Sequence, residues 1–508
     1  PDDPEQTEHI ANDCGAKILF VHTRERLEAF LKLRDELDAA EEFVLIDDEA
    51  EPGDGYRTFE ELLEEGTGAD PDDFNRQARS AEPDDLATFI YTSGTTGLPK
   101  GVMLSHWNIA SNVQNALQMM DIEPDQTALS FLPLSHSFER TVDYIYFYRG
   151  VSVAYAESIE ALGENLMEVR PHLFVSVPRV YEKLLGKIYE GAQASPLKKK
   201  LLDWAVDTGR KALPHRLRQE SPPGLLGIQL ALADKLVFGK VRKKLGGRFE
   251  FAISGGAPLG KELGEFFWGA GFPIYEGYGL TETSPVLTVN SPDRVKLGTV
   301  GTAVPETKLE IADDGEILAR GPQVMQGYYN LPDATAEAID DAGWFHTGDI
   351  GQIDEEGFLS ITDRKKEIIV NAYGKNVPPA KVENAVKNSL YVSQAVAIGD
   401  KKKMIAALVV PDFDALESWA GSQGISFQDR EELLESEQVQ KLFEEEIEQA
   451  NEKLAHYEEV KAWTLLAEEF SIEGGELTPT QKVKRRVIDE KYEEEIDRMY
   501  ERAEARHG

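Results

Sequence analysis

Short apolar runs alternate with amphipathic stretches through the first half of the chain. Between residue 18 and about residue 273, runs rich in Val, Ile, Phe and Tyr are followed by segments whose apolar positions recur every three or four residues. This strand-then-helix alternation predicts an α/β domain with parallel sheets. We expect strands at residues 18–21, 43–46, 88–91, 151–156, 173–177 and 249–254, and helices at 24–40, 105–120 and 159–169.

The second half of the chain shows two further patterns. After a helical insert at 179–245 that is rich in Lys, Arg and Leu, residues 297–363 have the short apolar runs and polar turns of a small β-rich subdomain. We therefore predict a large N-terminal domain at residues 1–364 and a smaller α+β domain at 365–508. Within the smaller domain we expect strands at 368–370, 393–398 and 404–410, and helices from 379, at 428–457 and at 484–506.

The net charge narrows the classes of function. The 508 residues include 92 Asp and Glu against 54 Lys and Arg, a net charge of −38, while 41% are apolar, which suffices for folded cores. This acidity excludes a general nucleic-acid binder, because a phosphate backbone requires a basic face. An acidic tail is one explanation, but the carboxylates extend from Asp2 to Glu504. Adaptation to concentrated salt, which screens repulsion among exposed carboxylates, fits this spread better.

Cysteine content and hydropathy indicate the compartment. Cys14 is the single cysteine, so the chain cannot form an internal disulfide, and a reducing cytoplasm is expected. No apolar run approaches the roughly 18–20 residues that span a bilayer, and no signal sequence opens the chain. The chain starts at Pro1 without a Met, so we expect further residues before it in the natural protein.

The segment YTSGTTGLPKG, residues 91–101, is the sharpest chemical signal. An expected strand leads into six hydroxyl or glycine residues and then Lys100. Hydroxyls and backbone N–H groups donate to phosphate oxygens, and small residues allow the backbone to approach them. The G-K-[ST] ending of a Walker A loop is absent, because Gly101 follows Lys100. We predict a phosphate-binding loop of another type; the alternative is a polar turn between a strand and a helix.

The segment YEGYGLTETSP, residues 275–285, is ambiguous when taken alone. Tyr278 offers a flat ring, Thr281 a hydroxyl and Glu282 a hard carboxylate that suits Mg²⁺. An aromatic, glycine-rich turn with only a structural role is the alternative.

Two later segments are equally ambiguous alone. GWFHTGD at 343–349, followed by DRKKE at 363–367, places an aspartate on a tight turn, where it can bind two vicinal hydroxyls such as those of a ribose. LTPTQKVKRR at 477–486 contains a lysine just before a basic helix start. A solvated β-turn and an ordinary basic helix are the respective alternatives.

Together and in this order, the four segments resemble those of the adenylate-forming superfamily of acyl-CoA synthetases, adenylation domains and firefly-type luciferases. YTSGTTGLPKG is similar to its phosphate loop, YGLTE to its adenine and magnesium segment, and HTGD to its ribose segment. DRKKE is similar to its hinge, TQKVKRR to the segment of its C-terminal catalytic lysine, and SGGAPL at 254–259 to a segment that borders adenine. The resemblance covers essentially the whole chain.

Within the superfamily, the chain is most similar to the AMP-forming long-chain fatty acyl-CoA synthetases. The segments that indicate this subgroup are FLPLSHSFER at 131–140, VPRVYEKL at 177–184, the helical insert, and YGKNVPPAKVEN at 373–384. Members of the superfamily have further elements before the segment that matches Pro1, so we expect the N-terminal domain to lack its first elements here.

The resemblance implies a ligase that acts in two steps. A long-chain fatty acid would react with ATP and Mg²⁺ to give an acyl-adenylate and diphosphate, and coenzyme A would then take the acyl group and release AMP. A ligase that delivers the acyl group to a carrier protein, and a nucleotide- or lipid-binding fragment without turnover, are the alternatives. The resemblance leaves a homodimer and a peripheral contact with the inner membrane open.

The resemblance also implies roles for individual residues. Lys482, Glu282, Thr281, Lys100 and His136 would be catalytic, with His136 near the fatty carboxylate unless it is a structural histidine. Lys366 matches the hinge, which implies that the smaller α+β domain at 365–508 is mobile. Tyr181 matches a gate to the fatty-acid tunnel, with a core tyrosine as the alternative. Nucleotide-binding residues would be Thr92, Ser93, Gly94, Thr95, Thr96, Gly97, Lys100, Gly255, Gly256, Ala257, Tyr278, Gly279, Thr281, Asp349, Arg364 and Lys482; Thr92 and Glu282 would hold Mg²⁺, and Gly374 and Lys375 would line the coenzyme A channel.

Overall fold

The computed structural model describes residues 4–47, 53–92, 98–193, 195–365, 367–478 and 483–507. Its strands are β1 (Ile18–Val21), β2 (Glu42–Leu45), β3 (Arg57–Thr58), β4 (Leu86–Thr92), β5 (Lys100–Ser105), β6 (Thr127–Ser130), β7 (Ser152–Tyr155), β8 (Leu173–Ser176), β9 (Phe251–Ser254), β10 (Ile274–Gly279), β11 (Val286–Val289), β12 (Thr302–Ala303), β13 (Lys308–Ile311), β14 (Glu316–Arg320), β15 (Gly327–Tyr328), β16 (Phe345–Ile353), β17 (Leu359–Arg364), β18 (Ile369–Val370), β19 (Asn376–Val377), β20 (Val392–Ile398), β21 (Ile405–Pro411) and β22 (Val460–Leu465).

The helices alternate with these strands. They are α1 (Pro4–Cys14), α2 (Arg24–Lys32), α3 (Phe59–Gly66), α4 (Pro71–Ala78), α5 (His106–Leu117), α6 (Ser137–Arg149), α7 (Leu162–Val169), α8 (Pro178–Gln193), α9 (Pro196–Arg216), α10 (Gly224–Ala233), α11 (Gly239–Lys244), α12 (Lys261–Gly269), α13 (Pro332–Ala338), α14 (Pro379–Lys387), α15 (Phe413–Gln423), α16 (Arg430–Glu435), α17 (Glu437–Asn451), α18 (Arg485–Lys491) and α19 (Glu493–His507). Short 3₁₀ turns lie at Arg34–Glu36 and Thr281–Thr283, and a π turn at Asp234–Phe238 joins α10 to α11.

Contacts divide the chain into two compact units. The first comprises Pro1–Asn112, Thr281–Ser284 and Pro322–Trp344, and the second comprises Val113–Leu280, Pro285–Gly321 and Phe345–Gly508. The predicted boundary between residues 364 and 365 is a different division, and it stays a prediction.

The first unit contains two three-stranded sheets. Strands β1, β2 and β3 run parallel, and β15, β5 and β4 form an antiparallel sheet. The prediction that residues 88–91 join a parallel sheet is therefore wrong. The physical reason is the connection: β4 ends at Thr92 and β5 begins at Lys100, whereas a parallel crossover needs a dozen or more residues.

The second unit is built around a seven-stranded sheet in the order β12-β11-β10-β9-β8-β6-β7. The five strands from β10 to β7 are parallel, as predicted, and β11 and β12 are antiparallel at one edge. Strand β8 is buried at all four positions, as expected for a central parallel strand covered on both faces. The helical insert is confirmed as α8 to α11.

Two smaller sheets complete the second unit. Strands β13, β14, β16 and β17 form the antiparallel sheet expected for a β-rich subdomain. Strands β20, β21 and β22 pack with α14 to α19 around a common apolar core. The helix expected at 428–457 is two helices, because Ser436 adopts an extended conformation and separates α16 from α17. The helix expected at 484–506 is likewise divided between α18 and α19, and that expected at 24–40 ends at Lys32.

In the part of the chain that the structure describes, no helix combines the length and the apolar character needed to cross a bilayer.

Candidate active site

The predicted phosphate loop connects two antiparallel strands. Thr92 is the last residue of β4 and Lys100 the first of β5, and the two are cross-strand partners in the ladder. Ser93, Gly94, Thr95, Thr96 and Gly97 lie outside the described residues. Because β4 and β5 pair up to Thr92 and Lys100, these two residues hold the ends of the loop at a fixed separation.

Lys100 belongs to a cluster that includes a residue the sequence analysis missed. Its Nζ lies 4.9 Å from the ring centroid of Tyr328, within the range of a cation–π contact. The Tyr328 hydroxyl donates a hydrogen bond to Glu282 Oε1 at 2.8 Å. Burial, and then the charge of Glu282, raise the pKa of Tyr328, so its hydroxyl remains a donor at neutral pH. A lysine and a carboxylate thus contact one tyrosine.

The Glu282 backbone is also fixed. Thr281 and Glu282 lie on the 3₁₀ turn Thr281–Thr283, and the Glu282 carbonyl accepts the Met325 N–H at 2.8 Å. Among the described residues, no group of three or more His, Cys, Asp and Glu is arranged to hold a metal ion. The Glu282 carboxylate and the Thr92 hydroxyl are nevertheless ligand types that suit Mg²⁺, which keeps waters and substrate phosphates as its other ligands.

Tyr278, Asp349 and Arg364 form the best-defined constellation. Asp349 is buried on β16 and is the cross-strand partner of Arg364 on β17. Its Oδ2 accepts the Tyr278 hydroxyl at 2.6 Å, and its Oδ1 lies 3.2 Å from Arg364 Nε. A carboxylate oxygen has two lone pairs and can accept more than one hydrogen bond.

The charge of Asp349 raises the pKa values of both Tyr278 and Arg364. Burial, and then the Asp349 charge, hold the pKa of the Tyr278 phenol well above its usual range, so Tyr278 stays a donor. Burial lowers the pKa of Arg364, but Asp349 and Glu367 outweigh it and the net shift is upward. The aspartate is therefore held in one orientation by a hydrogen bond from Tyr278 and an ion pair with Arg364.

Glycines shape the segments around Tyr278 and β9. A Cβ at Gly279 would lie 1.6 Å from the Pro285 carbonyl oxygen, so only glycine fits the bulge between β10 and β11. A Cβ at Gly255 would lie 2.9 Å from the Phe138 ring, and Gly256 has a φ of +79°. Gly255, Gly256 and Ala257 therefore follow β9 as a turn without bulky side chains.

His136 has a structural contact. It is the N-cap of α6, and its Nδ1 accepts the Phe138 N–H at 3.2 Å. Nearby, the fully buried Glu139 accepts the Phe131 N–H at 3.1 Å and so connects α6 to the preceding turn. Burial raises the pKa of Glu139 to about 8. The sequence analysis did not single out Glu139, which is the third residue of α6 and lies among other charged and polar residues of that helix.

Tyr181 lies in the core of the second unit. Its ring is fully buried and stacks on Phe174 with centroids 6.2 Å apart, and its hydroxyl donates to the Ile253 carbonyl at 2.9 Å. This placement corresponds to the core-tyrosine alternative, and the gate remains a prediction.

Gly374 and Lys375 lie on the tight turn between β18 and β19. The Asn371 Oδ1 accepts the N–H groups of Tyr373 and Lys375, both at 3.0 Å, and Gly374 has a φ of +71°. The turn is therefore held by an Asx-type contact that leaves the side chain of Tyr373 exposed.

Lys366 and Lys482 lie outside the described residues, but their neighbours are well connected. Arg485, at the start of α18, lies 2.6 Å from Glu383 and 3.5 Å from Glu367 and donates to the Ala397 carbonyl at 3.2 Å. These contacts give Arg485 a structural position.

Comparison with known proteins matches both parts of the chain to one family. The model of the AMP-binding enzyme family matches residues 3–329, and that of the AMP-binding enzyme C-terminal domain matches residues 366–504. The long-chain-fatty-acid–CoA ligase FadD15 of Mycobacterium tuberculosis is 38% identical over 98% of this chain and 82% of its own length. The human long-chain-fatty-acid–CoA ligase ACSBG1 is 36% identical over 98% of this chain and 73% of its own length.

Solved structures share the fold. The anthranilate CoA ligase AuaEII in complex with anthranoyl-AMP aligns with a TM-score of 0.72 at 19% identity, covering 97% of this chain and 82% of its own. The adenylation domain of a carboxylate reductase from Mycobacterium chelonae aligns with a TM-score of 0.74 at 22% identity, covering 98% of this chain and 75% of its own.

Proposed function

The chain belongs to the AMP-binding enzyme family, and from that premise we propose that it is an AMP-forming long-chain fatty acid–CoA ligase. A fatty carboxylate oxygen attacks the α-phosphorus of ATP, the bond to the bridging oxygen breaks, and diphosphate leaves. The coenzyme A thiolate then attacks the acyl carbonyl carbon, and AMP leaves. The observation that carries the nucleotide part is the buried Asp349 between Tyr278 and Arg364; the acyl and thiol parts rest on the relatives.

The nucleoside is assigned to the Tyr278 group. Asp349 accepts hydrogen bonds from the two ribose hydroxyls, and the ion pair with Arg364 orients the carboxylate. The Tyr278 ring offers a face to adenine, beside the small residues Gly255 to Ala257. This arrangement supplies recognition and positioning, which is the main contribution of a protein to adenylate formation.

The phosphates are assigned to the Lys100 group. Lys100 and the hydroxyl-rich loop after Thr92 neutralise and hold the β- and γ-phosphates. Thr92 and Glu282 would hold Mg²⁺, which offsets charge on the departing diphosphate when bound. Tyr328 orients the Glu282 carboxylate through the 2.8 Å hydrogen bond.

The acyl and thiol steps are assigned to the remaining residues. Lys482 stabilises charge while the mixed anhydride forms, and rotation of residues 365–508 about Lys366 then exchanges it for the Gly374–Lys375 turn at the thiol channel. His136 stands near the fatty carboxylate as the cap of α6, and Tyr181 closes the acyl tunnel from the core.

Two half-reactions test the proposal. With palmitate, ATP and Mg²⁺, the protein should release diphosphate, and with added coenzyme A it should form palmitoyl-CoA. Adenylate and diphosphate without thioester would favour the ligase that delivers to a carrier protein. A folded sample that releases no diphosphate across C2 to C20 fatty acids would leave only the nucleotide- or lipid-binding alternative.

We also propose that the net charge of −38 is a solvent adaptation. ATP, coenzyme A and a fatty carboxylate are all anions, so the acidic surface repels each of them in dilute buffer. At about 1 M salt the Debye length falls to about 3 Å, which removes this repulsion beyond direct contact. Turnover should therefore persist or rise in molar KCl; a steady loss would contradict the adaptation and leave the ligase proposal standing.

A further inference from the structure

Two charged residues that have no role in the proposed function lie between segments that do. Arg364 is assigned to the ribose and Lys482 to the adenylation step, while Glu367 and Arg485 each follow three residues later in the chain. Glu367 and Arg485 form an ion pair with each other, with 3.5 Å between Glu367 Oε2 and Arg485 Nε. This pair therefore joins the segment after the proposed ribose arginine to the segment after Lys482.

Glu367 uses its two carboxylate oxygens for two different arginines. Its Oε1 lies 3.4 Å from Arg364 Nη1, and its Oε2 forms the ion pair with Arg485. The side chain of Glu367 is 27% exposed and that of Arg485 is 21% exposed, so these charges are screened less than those of surface pairs. Because an ionised carboxylate accepts on both oxygens, Glu367 can hold both guanidinium groups at the same time.

The row of alternating charges extends beyond both arginines. At one end, Arg364 Nε lies 3.2 Å from the buried Asp349 carboxylate. At the other end, Arg485 Nη2 lies 2.6 Å from Glu383 on α14. We call these five residues the ion-pair chain: Asp349, Arg364, Glu367, Arg485 and Glu383. The ion-pair chain connects the proposed ribose site to the start of α18.

Glu367 contributes to the charged state of both arginines. Burial lowers the pKa of Arg364, but Asp349 and Glu367 raise it, and the net shift is upward. Burial likewise lowers the pKa of Arg485, whereas Glu383 and Glu367 raise it, again with a net upward shift. Removing the Glu367 charge would take one carboxylate partner from each arginine, so the two ends of the ion-pair chain would no longer be connected.

We propose that Glu367 and Arg485 are positioning residues that couple nucleotide binding to the start of α18. A nucleotide on Asp349 fixes the Arg364 guanidinium. Arg364 then holds Glu367, which in turn holds Arg485. Coupling between two sites is reciprocal, so if a bound nucleotide fixes α18, loosening Arg485 weakens nucleotide binding by a corresponding factor. The inference rests on the proposed assignment of Asp349 to the ribose. Contacts that only stabilise the fold would change stability and leave the nucleotide affinity unchanged.

Binding of AMP tests the coupling without turnover. In calorimetric titrations of the full chain at about 0.1 M KCl, where ion pairs are only moderately screened, Glu367→Gln should raise the Kd for AMP at least about fivefold. Arg485→Gln should also raise it, although three ion pairs separate Arg485 from Asp349. The matched control is Glu490→Gln, which removes an exposed carboxylate of α18 that pairs with Arg486 at 2.8 Å, and it should keep the parent affinity. An unchanged Kd in a folded Glu367→Gln variant would overturn the proposal.

The double variant distinguishes coupling from two independent effects. Because both residues act through the same contact, Glu367→Gln with Arg485→Gln should bind AMP no more weakly than the weaker-binding single variant, and additive losses would overturn the proposal. In hydrogen exchange, AMP should slow the amides of α18 in the parent and not in Glu367→Gln; an equal response in both would also overturn it. Diphosphate release, measured in parallel, reports on the proposed ligase. Release with no effect of either variant on AMP binding would contradict the coupling alone, whereas AMP binding without release would contradict the ligase alone.

Discussion

Replacing Tyr278 by Phe removes one hydroxyl from the proposed nucleotide site. That hydroxyl donates to the buried Asp349 carboxylate at 2.6 Å, while Arg364 still holds the other carboxylate oxygen at 3.2 Å. A hydrogen bond to a charged group contributes about 1.5–3 kcal/mol. Because the ion pair with Arg364 remains, we expect the lower half of this range, which corresponds to roughly a 10- to 40-fold lower kcat/KM for ATP. The loss should be mainly in KM, since in the proposed assignment Asp349 would contact the ribose in both ground and transition states.

The measurement is diphosphate release against ATP concentration at saturating fatty acid. Tyr275→Phe is the matched control, because Tyr275 is a buried tyrosine three positions earlier on β10 and its ring packs edge-on against Phe251 and Trp268. We expect this control to stay within twofold of the parent. A folded Tyr278→Phe variant with less than a twofold change, or a loss confined to kcat, would refute the assignment of the Tyr278–Asp349 pair to the ribose.

Three further predictions concern the C-terminal segment and α6. Lys482→Ala should abolish adenylate formation yet still make thioester from supplied acyl-adenylate, and equal loss in both half-reactions would contradict its role. Arg485→Ala should lower the free energy of unfolding of its domain by about 2–4 kcal/mol in urea titrations, because it strands two partly buried carboxylates; Arg486→Ala, at an exposed ion pair, should cost under about 1 kcal/mol. The Glu139 pKa of about 8 means that the folded state keeps a proton which the unfolded chain releases from about pH 4.5 upward. Stability should therefore fall between these pH values and fall less in Glu139→Gln; identical slopes would exclude this contribution.

Local sequence patterns anticipated the elements whose signals are short-range. The apolar runs at 18–21 and 173–177 form β1 and β8. Apolar runs of four or five residues bounded by polar turns are too short for a helix and are typical of buried strands. The division of 428–457 at Ser436 was not anticipated, since the charged helical pattern continues across it. One extended residue suffices to end α16, and periodicity carries no information about a single torsion angle.

Site residues were predictable from the sequence where a local motif contains them. Tyr278 and Asp349 were identified from their motifs, although the hydrogen bond between them spans 71 residues of sequence. Tyr328 was missed because its role depends on contacts with Lys100 and Glu282, which are distant in sequence. The local sequence GYYN does not indicate these contacts. Side-chain contacts across sheets depend on tertiary register, which a single sequence does not encode locally.

The contacts of Arg485 have a mechanical consequence. Arg485 forms ion pairs with Glu367, which follows the proposed hinge residue, and with Glu383 on α14. The start of α18 is therefore connected to both segments. In any rotation about residue 366, the start of α18, α14 and Glu367 should therefore move together as one rigid body. Spin labels at positions 384 and 486 should therefore keep a constant separation through the catalytic cycle, while a pair that joins position 486 to β9 should show two distances.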